Sequence, residues 1–322
     1  MKAAVYYETG SPEVFRYEDV PDAVMSDGGL LVQVEAISIE GGDTLNRAGG
    51  EMSKVPHIVG YQCAGTVLEV GSDVSGFAVG DRVVTTGFDG SHAALRSVPA
   101  SVCWKIPDGL ATEEAACVPV AFGTAHDCLF EFGHLKAGES VLVQAGASGV
   151  GIAAIQMAHQ AGARVLSTAS RDDKLERLRD LGLDDGINYA ELDTVAEVRR
   201  LTGGSGVDLV VESLGGASLA AALQCLAYRG RCVSIGDAGR AGASQVDTSV
   251  MRPNNLTLTG YFLGMELFMS ARAHQMIESI LDDVAAGRIR VVIDRRYALE
   301  EAAAAHAYIE SRQAFGRVLL IP

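Results

Sequence analysis

The chain has 322 residues, 48% hydrophobic and 21% charged, with 26 Lys and Arg against 41 Asp and Glu for a formal net charge of −15. That much apolar material buries a full core and excludes a disordered chain, and at about 150 residues per domain the length predicts two domains. The acidic balance argues against nucleic acid and anionic lipid as partners, because both are gripped by cationic footprints.

At the amino end, Met1 and Lys2 run into AAVYY and then Glu8 and Glu13, so no positive region followed by an apolar stretch of the export type is present. The six cysteines, Cys63, Cys103, Cys117, Cys128, Cys225 and Cys232, form no C-x-x-C pair and sit mostly in apolar runs. Buried free thiols in a reducing compartment are expected, and with them a cytoplasmic location. Residues 30–39, 65–71 and 81–87 are rich in β-branched side chains and bounded by Gly, Ser and Asp. They predict short strands and a β-rich first lobe.

After about Pro119 the pattern changes to an alternation of strands and helices. A strand over 141–145 leads into a helix from Gly149, then a strand over 163–170, a charged helix, a strand over 186–189 and a helix over 195–201. Strands over 207–213, 230–236 and 256–262 follow, with an Ala-rich helix after the first of them. Continuous Val, Leu and Ile strands separated by helices specify a parallel, doubly wound sheet covered on both faces. The uncharged stretch 140–163 is long enough to span a bilayer. Its Gln144, Gln156, His159, Gln160 and glycine cluster suit a buried strand–turn–helix instead, so no membrane is expected. Helices over 266–287 and 299–312 and a strand to the carboxyl end complete the chain.

The segment GASGVG, residues 146–151, stands between a buried strand and a helix. Dinucleotide turns use G-x-G-x-x-G for a tight turn, close approach to pyrophosphate and helix–strand packing. Gly146 and Gly151 hold the outer positions, Ser148 replaces the middle glycine, and Gly149 and Val150 follow it. A ligand-free tight turn is the plainer alternative. NAD sites place an acid about 20 residues further on, at the tip of the second strand. Here that tip reads Thr168-Ala169-Ser170-Arg171, with Lys174 beyond it and Tyr189 closing the next strand. Ser170, Arg171 and Lys174 would receive a 2′-phosphate that a carboxylate would repel, which favours NADP(H). Against this, Ser170 with Asp173 reads as a helix capping box, and Asp172 and Asp173 oppose the cations.

Several blocks in order carry a resemblance: PHIVGYQCAGTVLEVGSDVSGFAVGDRV, EEAACVPVAFGTAHDCL, VLVQAGASGVGIAAIQMA, TGGSGVDLVVESLGG, LTLTGYFLG and FGRVLLIP. The chain resembles the medium-chain dehydrogenase/reductase superfamily, and within it the zinc-independent quinone oxidoreductase, zeta-crystallin-like branch. The resemblance implies an α/β fold: a GroES-like β-rich lobe from residues 1–122 and 265–322, a Rossmann domain over 123–264, and a cleft where they meet. It implies nucleotide contacts at Thr124, Gly149, Val150, Ser170, Lys174, Tyr189, Ser213, Ile235, Gly236, Phe262 and Leu263, and at the closing Gly316-Arg317 pair. For Thr124, Ser213 and Phe262 the alternatives are a core hydroxyl, a cap and a core aromatic.

Zinc-dependent relatives carry cysteine, histidine and cysteine where this chain has Glu40, Tyr61 and a position near Val120. Catalytic zinc needs three Cys, His or Asp/Glu ligands, so no metal is expected. The segment Ile39-Glu40-Gly41-Gly42-Asp43 also departs from the Asn-containing segment common in quinone reductases. Glu40 is read either as a buried acid beside the cofactor, its pKa raised by desolvation, or as a group turned outward or capping a neighbouring backbone. Tyr61, Gln62 and Glu40 are the candidates for polarising the substrate, while His92 and His126 are read as structural. Reduction of quinones or α,β-unsaturated carbonyls by NADPH follows, since such acceptors delocalise the incoming charge. An enoyl-thioester reductase and a low-turnover, crystallin-like NADPH-binding protein are the alternatives. The apolar last strand of the alternation, 256–262, predicts a homodimer through its edge.

Overall fold

The computed structural model describes all 322 residues. The chain divides into two compact units, Met1–Gly123 with Leu263–Pro322, and Thr124–Phe262.

The first unit opens with strands β1 (Lys2–Val5), β2 (Arg16–Asp19) and β3 (Gly29–Ser38), helix α1 (Gly41–Gly49), and strands β4 (Gln62–Val70), β5 (Arg82–Thr86), β6 (Leu95–Pro99) and β7 (Cys103–Lys105). Helices α2 (Thr112–Ala115) and α3 (Val118–His126) follow. Along β3 the chain alternates where it meets solvent, with Gln33 and Glu35 exposed between buried Val32, Val34 and Ala36. Leu30, Val32, Val67, Val83 and Val98 pack on one another to close this part of the core.

The second unit holds β8 (Ser140–Val143), α4 (Gly149–Gln160), β9 (Arg164–Ala169), α5 (Asp172–Arg179), β10 (Asp185–Asn188) and α6 (Thr194–Leu201). It continues with β11 (Val207–Glu212), α7 (Ala217–Cys225), β12 (Leu226–Ser234) and β13 (Thr257–Gly260). All its pairings are parallel, and the strand order is β10-β9-β8-β11-β12-β13. Numbered within the unit this is 3-2-1-4-5-6, the Rossmann order, whose reversal between β8 and β11 opens the crevice that takes a dinucleotide. Leu142, Leu166, Ile187, Val210 and Cys232 fill the sheet, and Val198, Leu219 and Leu223 seal it from the helices. Such strands are buried on both faces, which is why the sequence shows apolar runs rather than alternation.

The chain then returns to the first unit with α8 (Leu263–Met269), α9 (Ala271–Ala285), β14 (Ile293–Ala298), α10 (Ala302–Glu310) and β15 (Arg317–Ile321). There β15 lies between β14 and β3, inside the seven-stranded sheet β14-β15-β3-β4-β5-β7, with β6 on β3. Two helical expectations need correction. The helix expected over 266–287 is two helices, because Ser270 is extended (φ −137°, ψ 118°) and starts α9 as its N-cap. The one expected over 299–312 begins as a 3-10 turn, Leu299–Glu301. The uncharged stretch 140–163 is β8, the glycine turn and α4, and no helix is long and apolar enough to cross a membrane. All six cysteines are buried and none is in a disulfide.

Candidate active site

In the second unit, the residues expected at a nucleotide fall at the carboxyl ends of the parallel strands. The turn after β8 is built by close packing. Gly146 N donates to Thr168 O at 2.9 Å and Ala145 N to Thr168 Oγ1 at 3.2 Å, holding the turn against β9. A Cβ on Gly146 would collide with Ser167 and Leu178, and one on Gly151 with the Ala145 carbonyl and Gly146 itself. Ala145 sits in the left-handed region at φ 51°, a strain that non-glycine residues carry only where the surroundings enforce it. Ser148 is the N-cap of α4, its Oγ accepting from Gly151 N at 3.0 Å. The amides of Gly149 and Val150 open that helix and have no partner within it, the arrangement that receives a phosphate. Next to the turn, Gln144 is buried at 5% exposure and its Oε1 has no hydrogen-bond partner.

Ser170 follows β9 and Tyr189 follows β10; the strands end side by side, with Asn188 in register with Ala169. Tyr189 is 41% exposed and Lys174 is buried on α5. The capping box expected from Ser170 and Asp173 does not form, since the N-cap of α5 is Arg171. Arg171 instead forks onto Asp173, with Nε and a terminal nitrogen each 2.9 Å from a carboxylate oxygen. Asp172 accepts from Asn188 Nδ2 at 3.0 Å. Both opposing carboxylates are thus engaged, and no acid stands at the tip of β9.

Past β11, Glu212 is fully buried. Its Oε1 accepts from Leu214 N (2.9 Å) and Gly215 N (2.7 Å), and its Oε2 from Ser234 Oγ (2.9 Å). This carboxylate shapes the turn carrying Ser213 and joins it to the end of β12, where Ile235 and Gly236 follow. Thr124 is buried in α3, Phe262 is 53% exposed, and Leu263 is buried at the start of α8 in the first unit. A pocket of about 780 Å³ lies elsewhere, beside β13, lined by residues that include His134, Tyr228, Arg229, Thr257 and Thr259.

In the first unit, Glu40 neither turns outward nor stands as a free acid. It is 5% exposed and its Oε1 accepts from Arg317 and from Gln62 Nε2. Burial pushes its carboxyl upward, and the Arg317 guanidinium draws it back. Arg317 also donates to Ser38 Oγ (2.6 and 3.0 Å) and to Ile39 O (2.8 Å), which holds its guanidinium against the end of β3 and Glu40. Gln62 is fully buried, and its Oε1 accepts from Val120 N at 2.9 Å.

Tyr61 is partly exposed, and its Oη accepts from Asn46 Nδ2 at 3.1 Å. Burial raises its pKa, as does the nearby Asp43. The hydroxyl therefore stays protonated and keeps its own proton to donate. Its ring lies against Gly42, where any Cβ would collide with it. His92 is fully buried, with Nδ1 3.2 Å from Ser91 Oγ and Nε2 3.1 Å from His306 Nε2. His126 pairs with buried Asp127 at 3.2 Å.

Sequence reasoning missed three residues that fix this geometry. Asp43 accepts from Glu40 N (2.8 Å) and Tyr61 N (3.1 Å), and burial pushes its carboxyl up to about 8 against those two bonds. Buried Arg96 donates to Tyr61 O (3.1 Å) and Asp89 O (2.7 Å). Glu212 is the third, and it alone left a signal, an acid ending an otherwise apolar strand.

Residues 149–282 match the family model described as zinc-binding dehydrogenase, and residues 26–108 the one described as alcohol dehydrogenase GroES-like domain. A 2-haloacrylate reductase from a Burkholderia species is 33% identical, over 99% of this chain and 98% of its own. A quinone oxidoreductase of Pseudomonas aeruginosa is 32% identical over 97% of both. Among solved structures, Escherichia coli quinone oxidoreductase complexed with NADPH matches with a TM-score of 0.94 at 29% identity, covering 100% of both chains.

Proposed function

The chain belongs to the medium-chain dehydrogenase/reductase superfamily, in its quinone oxidoreductase-like branch, and from that premise we propose that it is an NADPH-dependent reductase of quinones or α,β-unsaturated carbonyl compounds. The observation that carries this reading is the carboxyl edge of the Rossmann sheet. A glycine turn too tight for any Cβ meets a second-strand tip with Ser170, Arg171, Lys174 and Tyr189 nearby, no acid at the strand end itself, and the following Asp172 and Asp173 engaged by Asn188 and Arg171. The α4 amides would hold the pyrophosphate, and Ser170, Lys174 and Tyr189 the 2′-phosphate. Bound there, NADPH supplies a hydride at its nicotinamide ring.

Quinones and activated alkenes spread the incoming charge onto a distant oxygen, so a single well-placed hydrogen-bond donor suffices to stabilise it. Tyr61 is that donor. Its hydroxyl is protonated and oriented by Asn46, and the residue is partly exposed. Glu40 and Gln62, both sealed and hydrogen-bonded, position the segment rather than touch the acceptor. A homodimer through β13 fits the same reading, because that edge strand pairs on one side only. Light scattering at micromolar concentration tests it, with twice the chain mass expected.

The deciding experiment mixes purified protein and NADPH with naphthoquinone, an alkyl enone and crotonyl thioester in turn. Oxidation of NADPH by the first two is expected. Preference for the thioester would make the protein an enoyl-thioester reductase, and tight binding without turnover a nucleotide-binding protein. Ser170→Glu should weaken NADPH binding by about tenfold or more and leave NADH nearly unaffected, measured by fluorescence titration.

A further inference from the structure

We infer that Gln62 is a positioning residue whose amide, together with Asp43, ties the three segments on which zinc-dependent relatives carry their metal ligands. The relevance of this tie to turnover rests on the reductase reading; its existence does not.

Zinc does not fit these residues. A carboxylate, a phenol and an aliphatic side chain stand at the three positions, and catalytic zinc takes three Cys, His or Asp/Glu donors. Glu40 is already committed to Arg317 and Gln62, and no group of three His, Cys, Asp or Glu side chains is placed to hold a metal ion. A bound metal would clamp such segments from a common centre. In this chain hydrogen bonds link them instead.

Val120 N can donate only to Oε1 of Gln62, which fixes the amide's orientation and leaves Nε2 facing the Glu40 carboxylate. Segments 40 and 120 are thereby joined through one side chain. Asp43 joins segments 40 and 61 by accepting from both backbone amides. Every one of these partners is distant in sequence from at least one other, and Gln62 is fully buried, so no water replaces its bonds. What the pair requires is an amide facing a carboxylate, and Arg317, which donates to the same Glu40 oxygen, favours the carboxylate at position 40.

The experiment is a double-mutant cycle of Glu40→Gln, Gln62→Glu and the exchange that combines them, with Gln62→Leu alongside. Gln62→Glu sets two carboxylates against each other, whereas the exchange restores a donor facing an acceptor and keeps an oxygen for Val120 N. Each of the three single substitutions should lower kcat by about tenfold or more with NADPH affinity unchanged, and the exchange should exceed the product of Glu40→Gln and Gln62→Glu by about tenfold or more. Hydrogen exchange of the 117–124 segment should accelerate in Gln62→Leu. Added zinc or chelator should change neither melting temperature nor kcat. An exchange variant no better than the product of its single substitutions, or Gln62→Leu with the parent's amide protection, would overturn the inference. If Gln62→Leu does not fold, melting temperatures of Gln62→Glu against the exchange variant decide the matter. Amide protection and melting require no turnover, so a protein that reduces no acceptor would sink the reductase reading and leave the tie to be judged separately.

Discussion

Tyr61 accepts a hydrogen bond from Asn46 and retains a proton, which the proposed reductase would offer to its acceptor. Tyr61→Phe should lower kcat by roughly 10–100-fold while NADPH affinity holds, as steady-state rates and a binding titration will show. Unchanged turnover would remove Tyr61 from the reaction. Glu212 acts differently, through its three accepted bonds. In Glu212→Leu, two backbone N–H groups and the Ser234 hydroxyl lose their acceptor, and a loss of about 1–3 kcal/mol in denaturant unfolding is expected. Residue roles of this kind were the least legible in the sequence. Glu40 stood out there as a departure, but its meaning depends on Gln62 and Arg317, which arrive from β4 and β15. A single position shows the charge and not the partner that neutralises it.

The alternation of strands and helices in the second unit was legible because its strands are covered on both faces and therefore continuously apolar. The glycine turn was legible too, since the spacing reports a steric need. Gly146→Ala should cost about 1–3 kcal/mol in thermal unfolding and abolish measurable NADPH binding, because a methyl group there displaces Ser167 or the turn. The shortest strand was not legible. β7 has three residues, Cys-Trp-Lys, too few to show a period. Nor was the break at Ser270, which carries neither Gly nor Pro and lies within an unbroken helical pattern. At α5 the cap fell one residue later than read, on Arg171, whose backbone is still extended (φ −154°, ψ 148°).

Over the whole molecule, buried ionisable groups make stability depend on pH. His92 is sealed against His306, and burial, reinforced by the Arg96 cation, lowers its pKa from 6.5 to about 3. The unfolded chain takes up a proton below pH 6.5 that the folded protein refuses. The contribution of neutral His92 is therefore whole above 6.5 and falls by about 1.4 kcal/mol per pH unit as the pH drops toward 3. Urea unfolding at pH 7 and pH 5 should show the parent losing about 2 kcal/mol more than His92→Asn over that interval. Equal losses would mean that the imidazole is solvated.

The placement of β15 has a consequence for biosynthesis. Leu319 and Leu320 pair with Ser38 and Ile37 of β3, well inside the seven-stranded sheet. A ribosome therefore delivers the opening strands first, then the strands of the Rossmann sheet, and only after them the strand that lies against β3. Until β15 is made, the earlier strands carry an open seam beside β3 that only this late segment closes.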